Sequence, residues 1–152
     1  QMMVEKFNFV FSDQLLKQCD KLKLTQRQIL IMASIVEKEA KISAEKPEVA
    51  AVFYNRLKKE WLLESCATVQ YALGKTKPIL SLSDLKIRSP YNTYQNSGLP
   101  PGPICNPGLP SIKVALYPEN SDNMFFIAKG DGTHKFSRYY QEHLKEKQQL
   151  KK

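Results

Sequence analysis

The sequence predicts an α+β fold: a mostly helical single domain with a small antiparallel hairpin and a long, ordered loop rich in proline and glycine. Three observations carry this. Apolar residues recur at helical spacing in most segments from Leu15 to Leu73. Six of the nine prolines crowd into Ser89 to Pro110, with Gly98, Gly102 and Gly108. A β-type stretch, broken by Gly130-Asp131-Gly132, follows near the end.

In chain order, Phe7 to Lys23 reads as a lead-in helix with Leu15, Leu16 and Leu22 on its apolar stripe. Thr25-Gln26-Arg27-Gln28 fits a capping box, in which the Thr hydroxyl and the Gln side chain satisfy orphan backbone donors. The helix it opens runs through Ile29 to about Ala40. It is apolar around most of its circumference, which suits a buried central helix. Ser43 opens a second helix that tolerates Pro47 in its first turns and ends near Lys58 and Lys59. A short helix over Ala67 to Leu73 closes at Gly74, and Ser83 is expected to cap a helical turn around Asp84 to Ile87.

The proline density of Ser89 to Pro110 excludes regular helix or central strand. Tyr91, Tyr94, Leu99, Ile104 and Leu109 give that loop enough apolar surface to pack, so it is expected to be ordered. A short helix follows over Ser111 to Leu116. Met124 to Ala128 and His134 to Ser137 read as paired strands, and Tyr139 to Lys152 as a polar terminal helix.

Composition narrows the class. The chain has 152 residues, enough for one domain with a sizeable core, and 42% of them are hydrophobic. No apolar run is long enough to span a bilayer, which takes about 18 residues or more. Gln1 to Val10 lacks the charged lead and cleavage site of a secretory signal, so the chain reads as a fragment with its targeting segment elsewhere. The net charge of +8 favours anionic partners, but no helix-turn-helix, zinc-finger or stacked-aromatic pattern accompanies it, so nucleic acid is not expected. Cys19, Cys66 and Cys105 show no metal-ligand spacing.

For chemistry, the carboxylates of the central helix stand out. A glycosidase acid must stay protonated near neutral pH, which requires an apolar, partly desolvated setting. Successive helical residues turn by about 100°. That places Glu39 beside Met32, Ile35 and Val36, and Glu37 beside Leu30, Ala33 and Ser34, nearer the polar edge that carries Lys38. Glu39 is the better placed acid, although both could be ordinary helix-end residues. The loop Ser89-Pro90-Tyr91-Asn92-Thr93-Tyr94 offers neutral hydrogen-bonding groups and flat rings suited to sugars, the same groups that stabilise turns. Gly98 to Ile104 lacks a phosphate-binding pattern. His134 stands alone, more suited to a structural role than to catalysis, and Cys66 near a helix start is at most a minor candidate nucleophile.

These motifs resemble the YceG-like family of endolytic transglycosylases. The likeness runs in unbroken order from about Leu24 to His143. It includes Ala33 to Glu39, Val52 to Leu57 (VFYNRL), Ala67 to Gly74, Ser89 to Tyr94, Gly98 to Gly108 (GLPPGPICNPG), Phe125 to Ala128 and Gly132 to Ser137. The resemblance implies that Glu39 is the catalytic acid, the residue also selected by the helical face. It implies substrate contacts at Gln70, Ser89, Tyr91, Asn92, Thr93, Tyr94, Asn106 and His134. It further implies a lytic cut between N-acetylmuramic acid and N-acetylglucosamine that leaves a 1,6-anhydro end, with no cofactor and no metal.

The expected partners are peptidoglycan glycan strands and a cell-wall synthase complex. The expected place is the inner (plasma) membrane, reached by a single-pass anchor upstream of this chain, with the catalytic domain on the periplasmic side. The organisation then reads as a lead-in helix over 1–24, a catalytic domain over 25–144 and a basic tail over 145–152. Two departures stand out: Cys66-Ala67 where the family often has Asp-Pro, and Gly132-Thr133 where it usually has a double glycine. Both are expected to be peripheral to the acid. The runner-up reading is a non-catalytic peptidoglycan-binding domain. A lyase dependent on pyridoxal phosphate is disfavoured for want of a phosphate-binding loop.

Overall fold

A computed structural model of the chain describes residues 13–150. The part of the lead-in helix expected over Phe7 to Ser12 lies outside the described residues. From Asp13 the order is α1 (Asp13–Leu22), α2 (Gln26–Glu39), a 3-10 turn (Ser43–Glu45), α3 (Lys46–Lys58) and α4 (Cys66–Leu73). A second 3-10 turn (Asp84–Lys86), α5 (Leu109–Leu116), β1 (Phe125–Ala128), β2 (His134–Ser137) and α6 (Tyr140–Leu150) complete it.

Helix α2 begins as its sequence dictates. Thr25 Oγ1 accepts the Gln28 N–H at 3.1 Å, and Gln28 Oε1 accepts the Thr25 N–H at 2.9 Å. Ile29, Met32, Ala33, Ile35 and Val36 are fully buried, and the helix packs against α1, α3, α4 and α5. Its burial on nearly all sides is what the continuous apolar circumference demanded.

Helix α3 carries polar side chains that tie down the second half of the chain. Asn55 Nδ2 donates to the carbonyls of Ser121 and Asn123 at 2.7 and 2.9 Å. Arg56 Nε donates to the Met124 carbonyl at 2.8 Å, and its Nη1 reaches back to Leu62 and Leu63 at 3.1 and 3.3 Å. The guanidinium lies over the Phe125 ring at 5.2 Å. The hairpin is thereby fixed on α3. Its strands pair antiparallel from Phe125 with Ser137 to Ala128 with His134. Gly130 and Gly132 take φ of 91° and 92° in the turn, where a Cβ would be strained.

Several element boundaries and one cap differ from the sequence reading: Ser43 opens a 3-10 turn and α3 proper starts at Lys46, while β1 and α6 each start one residue late, at Phe125 and Tyr140. Helix α4 starts at Cys66, one residue early, because Ser65 is its N-cap. Helix α5 starts at Leu109, with Pro110 in its first turn, where the missing proline N–H costs nothing. Ser83 does not cap the second 3-10 turn with its side chain. Ser81 does: its Oγ accepts the Asp84 N–H at 3.1 Å and its own N–H donates to Asp84 Oδ2 at 2.8 Å.

Candidate active site

Glu39 is the last residue of α2, and its half-buried carboxylate meets the N-terminus of α4. Oε1 accepts the Ser65 hydroxyl at 2.8 Å and the Ala67 N–H at 3.0 Å. Ser65, the N-cap, makes no cap bond of its own. Glu39 therefore does the capping from another helix, satisfying an orphan donor and facing the positive end of the helix dipole. Among the described residues, nothing is hydrogen-bonded to Oε2 and no cation forms an ion pair with Glu39.

The loop after Ser89 is bolted to the same helix start. Thr68 Oγ1 donates to the Ser65 carbonyl at 2.7 Å, so its single proton is committed. The Thr93 hydroxyl, 2.8 Å away, must then donate to Thr68, while Thr93 Oγ1 accepts the Ser65 N–H at 2.9 Å. Glu64, just before, sits in the left-handed region at φ 52° and donates its N–H to the Thr93 carbonyl at 3.2 Å. Tyr94 places its hydroxyl 3.2 Å from Cys66 Sγ. Burial raises the Tyr94 phenol above its ordinary range, and the Cys66 contact and the charges of Glu39 and Glu64 add to that. The phenol is thus held in its neutral form.

Contacts within the fold engage most of the other expected contact residues. Asn92 is fully buried, with Nδ2 on the carbonyls of Leu85 and Ile87 and Oδ1 on the Tyr94 N–H, all at 2.9 Å. Thr93 is buried as well. Ser89 Oγ accepts the Tyr91 N–H and closes the turn. These three shape the loop from beneath. Tyr91 packs against exposed Tyr71 of α4, with ring centroids 4.7 Å apart and planes tilted by 46°. Gln70 Nε2 holds the Lys77 carbonyl at 2.8 Å. Asn106 is exposed on the way into α5.

His134 is part of a different cluster. Its Nδ1 lies 2.9 Å from Glu45 Oε1 and its backbone N–H donates to Glu45 Oε2 at 3.0 Å. Its ring packs edge-on against Phe126. Burial alone would raise the Glu45 carboxyl, but the two His134 contacts outweigh it and hold the group below its ordinary value. This pair pins the hairpin to the turn after α2.

Glu37, partly exposed beside Lys38 as the helical wheel suggested, is nonetheless tied into the fold. Oε1 accepts the Gly108 N–H and the Ser111 hydroxyl, both at 2.9 Å, at the N-terminus of α5, and pairs with buried Lys46 at 3.6 Å. Burial pushes its carboxyl up, but these donors and the lysine charge prevail and hold it low. It is a neutralised structural anion. The Cys66-Ala67 departure is not peripheral either, since Ala67 gives its N–H to Glu39 and a proline there would have none.

Ser65, Ala67 and Thr68 are the site residues that sequence reasoning missed. The available signal was the serine itself, a preferred N-cap two residues before the expected helix start. Two surface cavities, of about 470 and 540 Å³, are lined by Arg88, Ser89, Pro90, Gln95 and Asn96, and by residues of α2 and Gly98 to Pro101 with Leu24, Thr25 and Leu57; neither includes Glu39.

The YceG-like family model matches residues 1–149. The chain is 46% identical over 126 residues to the endolytic murein transglycosylase of Bacillus subtilis (strain 168), an alignment covering 83% of this chain and 35% of that protein. It is 41% identical over 110 residues to the endolytic murein transglycosylase of Streptococcus pneumoniae serotype 2 (strain D39), covering 69% and 20%. Among solved structures it is similar to a YceG-like protein of Listeria monocytogenes, with 46% identity and a TM-score of 0.78 over 85% of this chain and 41% of that one. The chain thus spans about a third of the length of the Bacillus relative and a fifth of the Streptococcus one.

Proposed function

Since the chain belongs to the YceG-like family, we propose that it is the catalytic domain of an endolytic murein transglycosylase, with Glu39 as its general acid and base. The observation that carries this is the asymmetry of the Glu39 carboxyl. Oε1 is held by two donors, whereas Oε2 has no partner among the described residues.

A proton on this carboxyl resides on Oε2, because both donors already occupy Oε1. A sugar covering Oε2 excludes water there, so the proton passes directly between the carboxyl and the sugar. Oε2 then protonates the oxygen bridging N-acetylmuramic acid and N-acetylglucosamine, and the bridge breaks at the muramic C1. The 6-hydroxyl of the same sugar attacks C1 and gives its proton back to Oε2, leaving a 1,6-anhydro end. An attached nucleophile acts at a very high effective concentration, about 10⁵ M or more in favourable geometries, so a second catalytic carboxylate is not required. The N-terminus of α4 and the Ser65 hydroxyl stabilise the carboxylate between the two proton transfers.

The domain is assigned to residues 25–144, acting on peptidoglycan outside the cytoplasm beside a cell-wall synthase and tethered by an anchor N-terminal to this chain. Mass spectrometry of products from purified glycan strands tests the reaction. Anhydro-muramyl ends in the wild type, with none from Glu39→Gln, are the expected result. Binding to glycan with no cleavage by the wild type would instead make the domain a binding module.

A further inference from the structure

The hydrogen bonds around Oε1 form a built device, not a single contact. Ser65 is buried, with 1% of its surface exposed. Its N–H is fixed by Thr93 Oγ1 and its carbonyl by Thr68 Oγ1. With both backbone groups anchored, its hydroxyl has one free torsion, and that torsion points it at Glu39. The Ala67 N–H comes from the first turn of α4, where no intrahelical acceptor exists for it. Two independent donors, one side chain and one backbone, converge on the same oxygen.

We infer that the Ser65 hydroxyl is a positioning group that reserves Oε1 of Glu39 and so makes Oε2 the oxygen that exchanges the proton with substrate. This deepens, and rests on, the reading of Glu39 as the acid. The hydroxyl touches the carboxyl, so its loss acts on turnover more than on binding.

Ser65→Ala deletes the hydroxyl. It is expected to lower kcat about tenfold, the scale of one hydrogen bond to a charged group, with KM changed less than about twofold. Ser65→Thr, which keeps a hydroxyl, restores kcat.

Unchanged kcat in Ser65→Ala, beside an inactive Glu39→Gln, overturns the inference and leaves the proposed function standing. A lowered melting temperature with kcat and KM unmoved, or a loss of kcat that Ser65→Thr does not restore, overturns it too, since that is a purely structural role. Full activity in Glu39→Gln instead overturns the catalytic reading itself.

Discussion

Glu37 and Glu39, two residues apart on α2, each cap the N-terminus of a different helix. Glu37 Oε1 takes the Gly108 N–H and the Ser111 hydroxyl of α5, and Glu39 Oε1 takes the Ala67 N–H and the Ser65 hydroxyl of α4. A two-residue step turns a helix by about 200°, so the two carboxylates leave on opposite sides. What separates their roles is the third partner. Glu37 also meets buried Lys46, while Glu39 has no cation partner among the described residues and keeps Oε2 open.

Glu39→Gln keeps an acceptor for Ser65 and Ala67 but has no proton to deliver from a carboxyl. Cleavage of glycan strands should fall by about a thousandfold, within the usual span for loss of a general acid. Anhydro ends counted by mass spectrometry give the loss, and a co-sedimentation assay with insoluble peptidoglycan should show binding retained.

Glu37→Gln should act on stability. It leaves Lys46, only 7% exposed, without its countercharge, at a cost of about 2 kcal/mol. Because the Glu37 carboxyl is held below its ordinary 4.5 when folded, its contribution is complete above that value. It is lost as pH falls through the lower, folded value. Urea melts of the wild type and variant should therefore differ at pH 7 and converge as the solution is made acidic.

Gly102→Ala tests the close approach of the proline-rich loop. A Cβ there would lie 2.8 Å from the Tyr91 hydroxyl and 3.2 Å from Arg27 Nη2. Tyr91 also packs against Tyr71, so its ring has little room to give way on that side. A destabilisation of about 2 kcal/mol is expected, read as a lower melting temperature and a changed near-ultraviolet tyrosine signal.

Cys66 lies on the helix turn that faces Glu39. Packing around its sulfur raises the thiol above its ordinary value, and the charges of Glu39 and Glu64 add to this against the Tyr94 hydrogen bond. A maleimide should therefore react slowly at pH 7 and faster as pH rises. The adduct should block cleavage, whereas Cys66→Ala, treated identically, should remain active. Loss of activity at the same rate in both proteins would place the reactive thiol elsewhere.

The secondary structure was legible because it is encoded locally. The Thr25 box, Gly74 after α4, and Gly130 and Gly132 in the hairpin each act within a few residues of themselves. Glu39 was legible as well, through the 3.6-residue period that set it beside Met32, Ile35 and Val36 and through the ordered motifs around it. Asn92 and Thr93 illustrate the limit. Their polar side chains suit a sugar and suit a buried turn equally, and composition cannot tell which use the fold makes of them.

By itself, then, the sequence determined the helices, the hairpin, the family and the glutamate at the end of α2, since periodicity, capping and motif order are properties of neighbours along a chain. Only the tertiary structure decided which oxygen of that glutamate is held and by what. Ser65 and Ala67 lie 26 and 28 positions away. Hydrogen-bond direction depends on distances of about 3 Å between groups that nothing in local sequence brings together. The packing of α2 against α4, clamped by Thr68 and Thr93, supplies that proximity.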